Sequence, residues 1–289
     1  MRRCRARAIA LFVLAAGCGR EKPVPSTDAA NTPPDTAAAP PAESQVAAYT
    51  ATDFAFEGPT ETPAGPTRFT LANKGKEVHH LVVVRIEQGR SFDSLLAALK
   101  KSELPPKWAH AIGGPNAVSP AISSDAVLGL TPGNYAIVCL IPSTDGVPHL
   151  AKGMIRPLTV TPSDRQASET PADLTMDLTN YDFKLSAPVT AGTRVIRVAN
   201  TADQLHEVVV VRLEPGKTMK DMFGWEMSGR KGPAPGRYVG GMAPLAPGDK
   251  GDFALAFEPG NYALICFVPD AKDGKLHAMH GMLKTLTVS

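Results

Sequence analysis

At 289 residues, 43% of them apolar, the chain is long enough for two ordinary cores, since single domains run to about 100–150 residues. Thirty Lys and Arg stand against 28 Asp and Glu, a formal charge of +2 with no long block of one sign. That excludes the basic footprint of a nucleic-acid binder, and it leaves partner choice to something other than net charge.

The chain opens on a basic head, Arg2, Arg3, Arg5 and Arg7, and a short apolar run from Ile9 to Ala16 that leads into Gly17-Cys18. Eight apolar residues fall far short of the roughly 20 that span a bilayer, so the segment reads as an address. It resembles a bacterial lipoprotein signal, which is cut before a cysteine whose thiol is then acylated. The resemblance implies a signal peptide over 1–18, lipidation at Cys18 and an exported protein tied to a membrane through its lipid on the periplasmic face. Gly19 is not the Asp that such families use for inner-membrane retention, so an outer membrane is favoured where two membranes exist. An ordinary secretory signal or an uncleaved anchor is the alternative. Residues 19–48 are mostly Pro, Ala, Thr, Ser and Asp, too poor in large aliphatics to offset chain entropy; they are expected to form a disordered tether.

From residue 49 onward the chain is one unit written twice. Residues 49–162 match 174–289 at a shift of 127, across a polar linker at 163–173: Phe56 falls on Phe183, Asn73 on Asn200, Gly113-Gly114 on Gly240-Gly241, and Pro132-Gly133-Asn134-Tyr135-Ala136 on Pro259-Gly260-Asn261-Tyr262-Ala263. One inserted residue then moves the shift to 128, and Leu158-Thr159-Val160 meets Leu286-Thr287-Val288. Within each copy the period is that of strands. Phe69 and Leu71 alternate with polar neighbours, Leu81 to Ile86 and Val208 to Leu213 are β-branched runs, and Tyr135 to Ile141 is an apolar run behind a Pro-Gly-Asn turn. A helix is expected where Phe92, Leu95, Leu96 and Leu99 share one face behind Ser91 as N-cap, and a second behind the Thr218-Met219-Lys220-Asp221 capping pattern. Two sheets packed face to face, interrupted by one helix, is the expected architecture of each copy.

The duplication also sorts the chemistry-bearing residues. Of seven histidines, His79 pairs with His206 and His149 with His277, whereas His80, His110 and His280 fall opposite Glu207, Arg237 and Lys152. Cys139 pairs with Cys266, and Met154 with Met282. One cysteine per exported repeat predicts free thiols, buried or holding a metal, because exported domains usually keep cysteines in pairs. A thiolate and two imidazoles with a weak axial thioether form the ligand field of an electron-transfer copper.

Here the sequence resembles the plastocyanin-like cupredoxins, which carry a His soon after an Asn-ended strand, then Gly-x-Tyr-x-x-x-Cys, then a His followed five places on by Gly-Met. The first copy runs from Asn73 to His79, through GNYAIVC ending at Cys139, to PHLAKGM ending at Met154. The second runs from Asn200 to His206, through GNYALIC ending at Cys266, to HAMHGM ending at Met282. The resemblance implies an all-β protein of two tandem cupredoxin-like Greek-key β-sandwiches, each with a short helical insertion and one copper. It implies thiolate covalency for Cys139 and Cys266, buried imidazoles at His79 and His206, solvent-edge imidazoles at His149 and His277, and axial thioethers at Met154 and Met282. The family usually places two to four residues between the Cys and the second His, whereas nine and ten intervene here. An electron carrier working with redox or copper-handling protein partners is the leading reading; copper storage or delivery, or a metal-free interaction module, are the alternatives. A copper enzyme is not expected, because no His-x-His pair occurs and the two cysteines are flanked by Val138, Leu140, Ile265 and Phe267 rather than by histidines.

Overall fold

The alternation in the first copy becomes a run of strands: β1 (Gln45–Thr52), β2 (Ala55–Glu57), β3 (Glu61–Pro63), β4 (Gly65–Asn73), β5 (Val82–Ile86), helix α1 (Phe92–Leu99), β6 (Ala109–Ala111), β7 (Ser123–Leu130), β8 (Gly133–Val138) and β9 (Ile155–Thr161). The second copy repeats the order with β10 (Leu174–Thr179), β11 (Asp182–Leu185), β12 (Gly192–Asn200), β13 (His206–Leu213), helix α2 (Met219–Met227), β14 (Gly236–Leu245), β15 (Lys250–Phe257), β16 (Gly260–Ile265) and β17 (Leu283–Val288). This computed structural model describes residues 44–101, 106–165 and 171–289. The expected signal peptide, Cys18 and most of the expected tether lie outside the described residues. β1 starts at Gln45, taking in the last four residues of the expected tether, because Ala47, Tyr49 and Ala51 turn inward while the strand pairs in parallel with β4. Among the described residues no helix is long and apolar enough to cross a membrane.

Each copy is a sandwich. In the first, Thr67, Phe69, Leu71 and Asn73 alternate inward along β4, and its Phe69 and Leu71 meet Val83, Tyr135, Ile137, Leu158 and Val160 of the facing sheet in one core. The apolar run of β8 is continuous because both of its faces are covered. Tyr135 and Ile137 face that core, while Ala136 and Val138 face outward against Leu95 and Leu99 of α1. In the second copy Met222 of α2 covers Val209, Val211, Ala263 and Ile265 in the same way. Both helices start as the sequence predicts. Ser91 Oγ accepts from the Ser94 N–H at 3.1 Å, and Thr218 Oγ1 from the Asp221 N–H at 3.2 Å, each in a reciprocal capping box.

The copies are joined through shared sheet. The order β11-β10-β12-β15-β7-β4-β1-β2 runs across both, with Val127 of β7 opposite Asp252 of β15; a five-stranded sheet, β3-β9-β8-β5-β6, completes the first copy and a four-stranded one, β14-β13-β16-β17, the second. Behind this seam the segment 112–118 bridges to β14 in a self-complementary way. Ile112 meets Leu245, Pro115 meets Met242 and Val118 meets Val239. At the 127-residue shift Met242 is the counterpart of Pro115, and the outer two pairs exchange counterparts, so the contact has the symmetry of a two-fold dimer within one chain.

Such close approach explains the repeated Gly-Gly. Gly114 (φ +138°) and Gly241 (φ +114°) sit so near Leu81 O and Val208 O that an added Cβ would lie 2.1 and 2.0 Å away. Gly241→Ala is expected to destabilise the protein by more than about 3 kcal/mol, from strain and overpacking together. A thermal melt within a degree or two of wild type would contradict this account of the seam.

Candidate metal centres

Asn73 ends β4 and turns its side chain onto the adjoining loop. Its Nδ2 donates to Glu77 O and Val118 O, and its Oδ1 accepts from the Gly75 N–H. That pins the segment carrying His79. Asn200 does the same for His206 through Gln204 O, Leu245 O and the Ala202 N–H. The Asn-to-His spacing in the sequence is thus a loop clamp.

Cys139 comes directly after the last residue of β8, and Cys266 after the last of β16. The loops of nine and ten residues fold back onto their own cysteines. The His149 N–H donates to Ile141 O, Leu150 N–H to Cys139 O, Cys139 N–H to Met154 O and Met154 N–H to His149 O, all at 2.9–3.0 Å. In the second copy the corresponding bonds join His277 to Val268, Ala278 to Cys266, Cys266 to Met282 and Met282 to His277. A short 3-10 turn begins at each second histidine and ends at Gly153 or Gly281 in the left-handed region. The long loops therefore return both imidazoles to the thiol.

Two buried groups result, His79–Cys139–His149 and His206–Cys266–His277, the donor atoms of each lying within 4.8 Å of one another. In the first, His149 Nδ1 is 3.4 Å from Cys139 Sγ and 3.1 Å from His79 Nδ1. In the second, His277 Nδ1 and His206 Nδ1 stand 3.4 and 3.9 Å from Cys266 Sγ. Both thiols are free and buried. Met154 and Met282 are fully buried in the same core, each with its carbonyl on the cysteine N–H.

Protonation shows what the first group is built for. Burial, partly offset by Asp53 or Glu77, holds His79 and His149 below the ordinary imidazole value, so both are neutral at pH 7. Asp53 Oδ1 lies 2.8 Å from His79 Nε2, and Glu77 Oε2 3.0 Å from His149 Nε2. Burial opposes ionisation of these carboxyls. It is outweighed at Asp53 by the Lys76 N–H, His79 and the Glu77 N–H, and at Glu77 by Ser143 and His149, so both stay below the usual carboxylate value. A carboxylate on each Nε2 fixes the proton there and leaves each Nδ1 a bare lone pair. Two lone pairs 3.1 Å apart beside a thiol make a donor set that a cation can occupy. Burial pushes the Cys139 thiol up to about 12 and Cys266 higher still, so each is a neutral thiol at pH 7 without a metal; a coordinating ion would deprotonate it outright. The donor set of soft sulfur and neutral imidazole fits copper.

The second group has the same ligands in a different surround. Asn180 stands where Asp53 does, with its Oδ1 3.5 Å from His206 Nε2, and burial together with His277 takes His206 down to about 4. Gln204 stands where Glu77 does. Asp270, in the loop with the inserted residue, has its carboxylate 3.7 Å from His277 Nε2, and that ring nitrogen has no hydrogen-bond partner. Asp270 accepts from Tyr181 Oη, Gln204 Nε2 and the Lys272 N–H, which hold its carboxyl well below the usual value.

The remaining histidines take other parts. His80 is buried; its Nε2 accepts from the Leu140 N–H at 2.9 Å, next to Cys139. Its counterpart Glu207 accepts from the Phe267 N–H at 3.1 Å, next to Cys266. Asn116 lies between them, donating to Glu207 Oε2 at 3.0 Å and hydrogen-bonded to His80. His110 is exposed against Glu87, and His280 stands with Asp273 rather than with Cys266. Asp53, Glu77, Asp270 and Asn116 are the site residues that sequence reasoning does not find. Asp53 opposite Asn180, and Glu77 opposite Gln204, are the signals that could have found two of them: acid-for-amide exchanges of equal shape.

No protein-family model matches the chain, and no curated protein does. Among solved structures, it is similar to a blue copper oxidase from Nitrosomonas europaea (13% identity, 85% of this chain and 86% of that one, TM-score 0.26). It is similar to a copper nitrite reductase from the same organism (13% identity, 86% and 94%, TM-score 0.25). An auracyanin from Roseiflexus castenholzii matches one copy's worth, 41% of this chain and 98% of that one, at 22% identity and a TM-score of 0.29. The fold is all-β and cupredoxin-like, as expected. The expectation that the chain is not an enzyme is corrected: the structures matched along most of its length are copper oxidases and nitrite reductases. That expectation rests on missing His-x-His pairs and on cysteines without histidine neighbours, which speak to additional copper sites between domains and leave the chemistry of the two present groups open.

Proposed function

We propose that the chain is an extracytoplasmic copper-binding electron carrier with one type 1-like copper in each repeat, tethered to its membrane through Cys18. The observation that carries this reading is the first His–Cys–His group, in which two carboxylates turn both Nδ1 lone pairs onto one thiol. His79, Cys139 and His149 would hold one ion and His206, Cys266 and His277 the other, with the Met154 and Met282 thioethers as further donors. Copper would supply a one-electron couple. The chain contributes a donor set acceptable to both oxidation states, held by rigid strands and clamped loops, so little rearrangement is needed as the charge changes. The Met154 and Met282 carbonyls on the cysteine N–H groups, with the Asn73 and Asn200 clamps, resist movement of the ligands. Burial keeps water away from the sulfurs.

Protein partners of redox or copper-handling type are the expected counterparts. Reconstituted protein is expected to show thiolate-to-copper absorption that bleaches with a mild reductant and returns on reoxidation with no copper lost to a chelator. Release of copper on reduction would favour storage or delivery instead.

A further inference from the structure

The repeats carry identical ligands, yet the groups behind those ligands differ in charge and in reach. In the first repeat each imidazole Nε2 faces a carboxylate at hydrogen-bond distance, Asp53 at 2.8 Å and Glu77 at 3.0 Å. In the second neither does. His206 Nε2 faces the Asn180 amide oxygen at 3.5 Å, and His277 Nε2 lies 3.7 Å from an Asp270 carboxylate already occupied by a tyrosine hydroxyl, an amide and backbone N–H groups. Carboxylates within hydrogen-bond reach of a ligand imidazole are thus Asp53 and Glu77 in the first repeat, whereas in the second Asp203, Glu207 and Asp270 lie near the ligands without a hydrogen bond to either ring. A carboxylate hydrogen-bonded to the far nitrogen makes an imidazole a stronger donor, and a stronger donor favours the more highly charged ion.

We infer that the two centres are inequivalent by construction, the first holding Cu(II) more tightly and having the lower reduction potential, with Asp53 and Glu77 as the positioning residues that set the difference. This rests on the copper reading above. In a chain carrying two ions and one electron, the electron would reside in the second repeat: Cu(I) at the first centre would be oxidised to Cu(II) as Cu(II) at the second was reduced to Cu(I), with no bond or proton transferred. The acid-for-amide exchanges at 53/180 and 77/204 make a directional pair from one duplicated unit.

The test is a spectroscopic redox titration of the copper-loaded full chain, with Cys139→Ala and Cys266→Ala isolating single centres, alongside chelator competition for Cu(II) and for Cu(I). Two midpoints are expected, the lower one absent from Cys139→Ala. Asp53→Asn with Glu77→Gln is expected to raise the lower midpoint toward the other and to weaken Cu(II) at the first centre about 10–100-fold, with Cu(I) affinity much less affected. The reciprocal Asn180→Asp with Gln204→Glu is expected to lower the higher midpoint, and it keeps the test open if the first double variant folds poorly. Two coppers that titrate together, or charge variants that move neither midpoint, overturn the inference and leave the copper reading intact. Failure of the wild-type chain to take up copper overturns both.

Discussion

Asn116→Ala is expected to destabilise the metal-free protein by roughly 3 kcal/mol, with a deficit that grows between about pH 6 and pH 8. Asn116 is fully buried at the seam between the copies. Its Nδ2 donates to Glu207 Oε2, Val208 O and Met242 O at 2.9–3.1 Å, and its Oδ1 accepts from the Ala117 N–H at 2.8 Å. Truncation strands several buried groups, each costing about 1–3 kcal/mol, and one of them is a carboxyl. Burial pushes Glu207 up to about 7, against the pull of Asn116 and the Phe267 N–H. Its folded value therefore lies above its unfolded one. The stability contributed by the neutral form is fully present below about pH 4.5 and is lost as pH rises through 7, a change of roughly 3 kcal/mol. Without Asn116 the charged form loses a donor, and the loss deepens. Burial takes His80 the other way, down to about 3, so its contribution is present above about pH 6.5 and is lost as pH falls toward 3. Denaturant unfolding at a series of pH values should show wild type weakening from about pH 5 to 8 and Glu207→Gln flatter over that range. Equal slopes in the two proteins would contradict the assignment.

His149→Ala and His277→Ala should each lower copper affinity at their own repeat by at least about 100-fold, the upper end of what outer partners of metal ligands command. The other repeat should keep its ion, because each copy closes its own loop onto its own cysteine through bonds that do not cross the seam. His110→Ala serves as the contrast, since that ring is exposed and paired with Glu87; its copper content should match wild type. Native mass spectrometry of chains loaded with substoichiometric copper distinguishes these outcomes. Simultaneous loss of both ions from either single variant would show that the sites depend on one another in a way the separate loops do not explain.

The ligand triads and helix caps were legible because duplication acts as a filter: residues that both copies keep in order stand out from those that vary. The same filter concealed what differs. Asp53 and Glu77 face amides in the other copy, His80 faces Glu207, and Asp270 lies in the loop that carries the inserted residue. Their importance comes from spatial contact with a ligand, which pattern-matching does not see. The shared sheet was also hidden, because β7 and β15 read as ordinary strands and nothing in an alternating pattern says which edge a strand offers to its twin. The early start of β1 escaped for a compositional reason: Ala47 and Ala48 look like tether, yet one small side chain turned inward beside Tyr49 suffices where β1 pairs in parallel with β4.

The central claim is that each repeat holds a copper through its own cysteine, and copper counting across the cysteine variants tests it most directly. Full-length protein is loaded with copper, stripped of loosely bound metal by a weak chelator, and weighed under native conditions. Two ions are expected for wild type, one each for Cys139→Ala and Cys266→Ala, and none for the double variant, with thiolate-to-copper absorption falling in the same steps. Equal copper in wild type and in the double cysteine variant would contradict the account and leave the folded repeats as a metal-free interaction module.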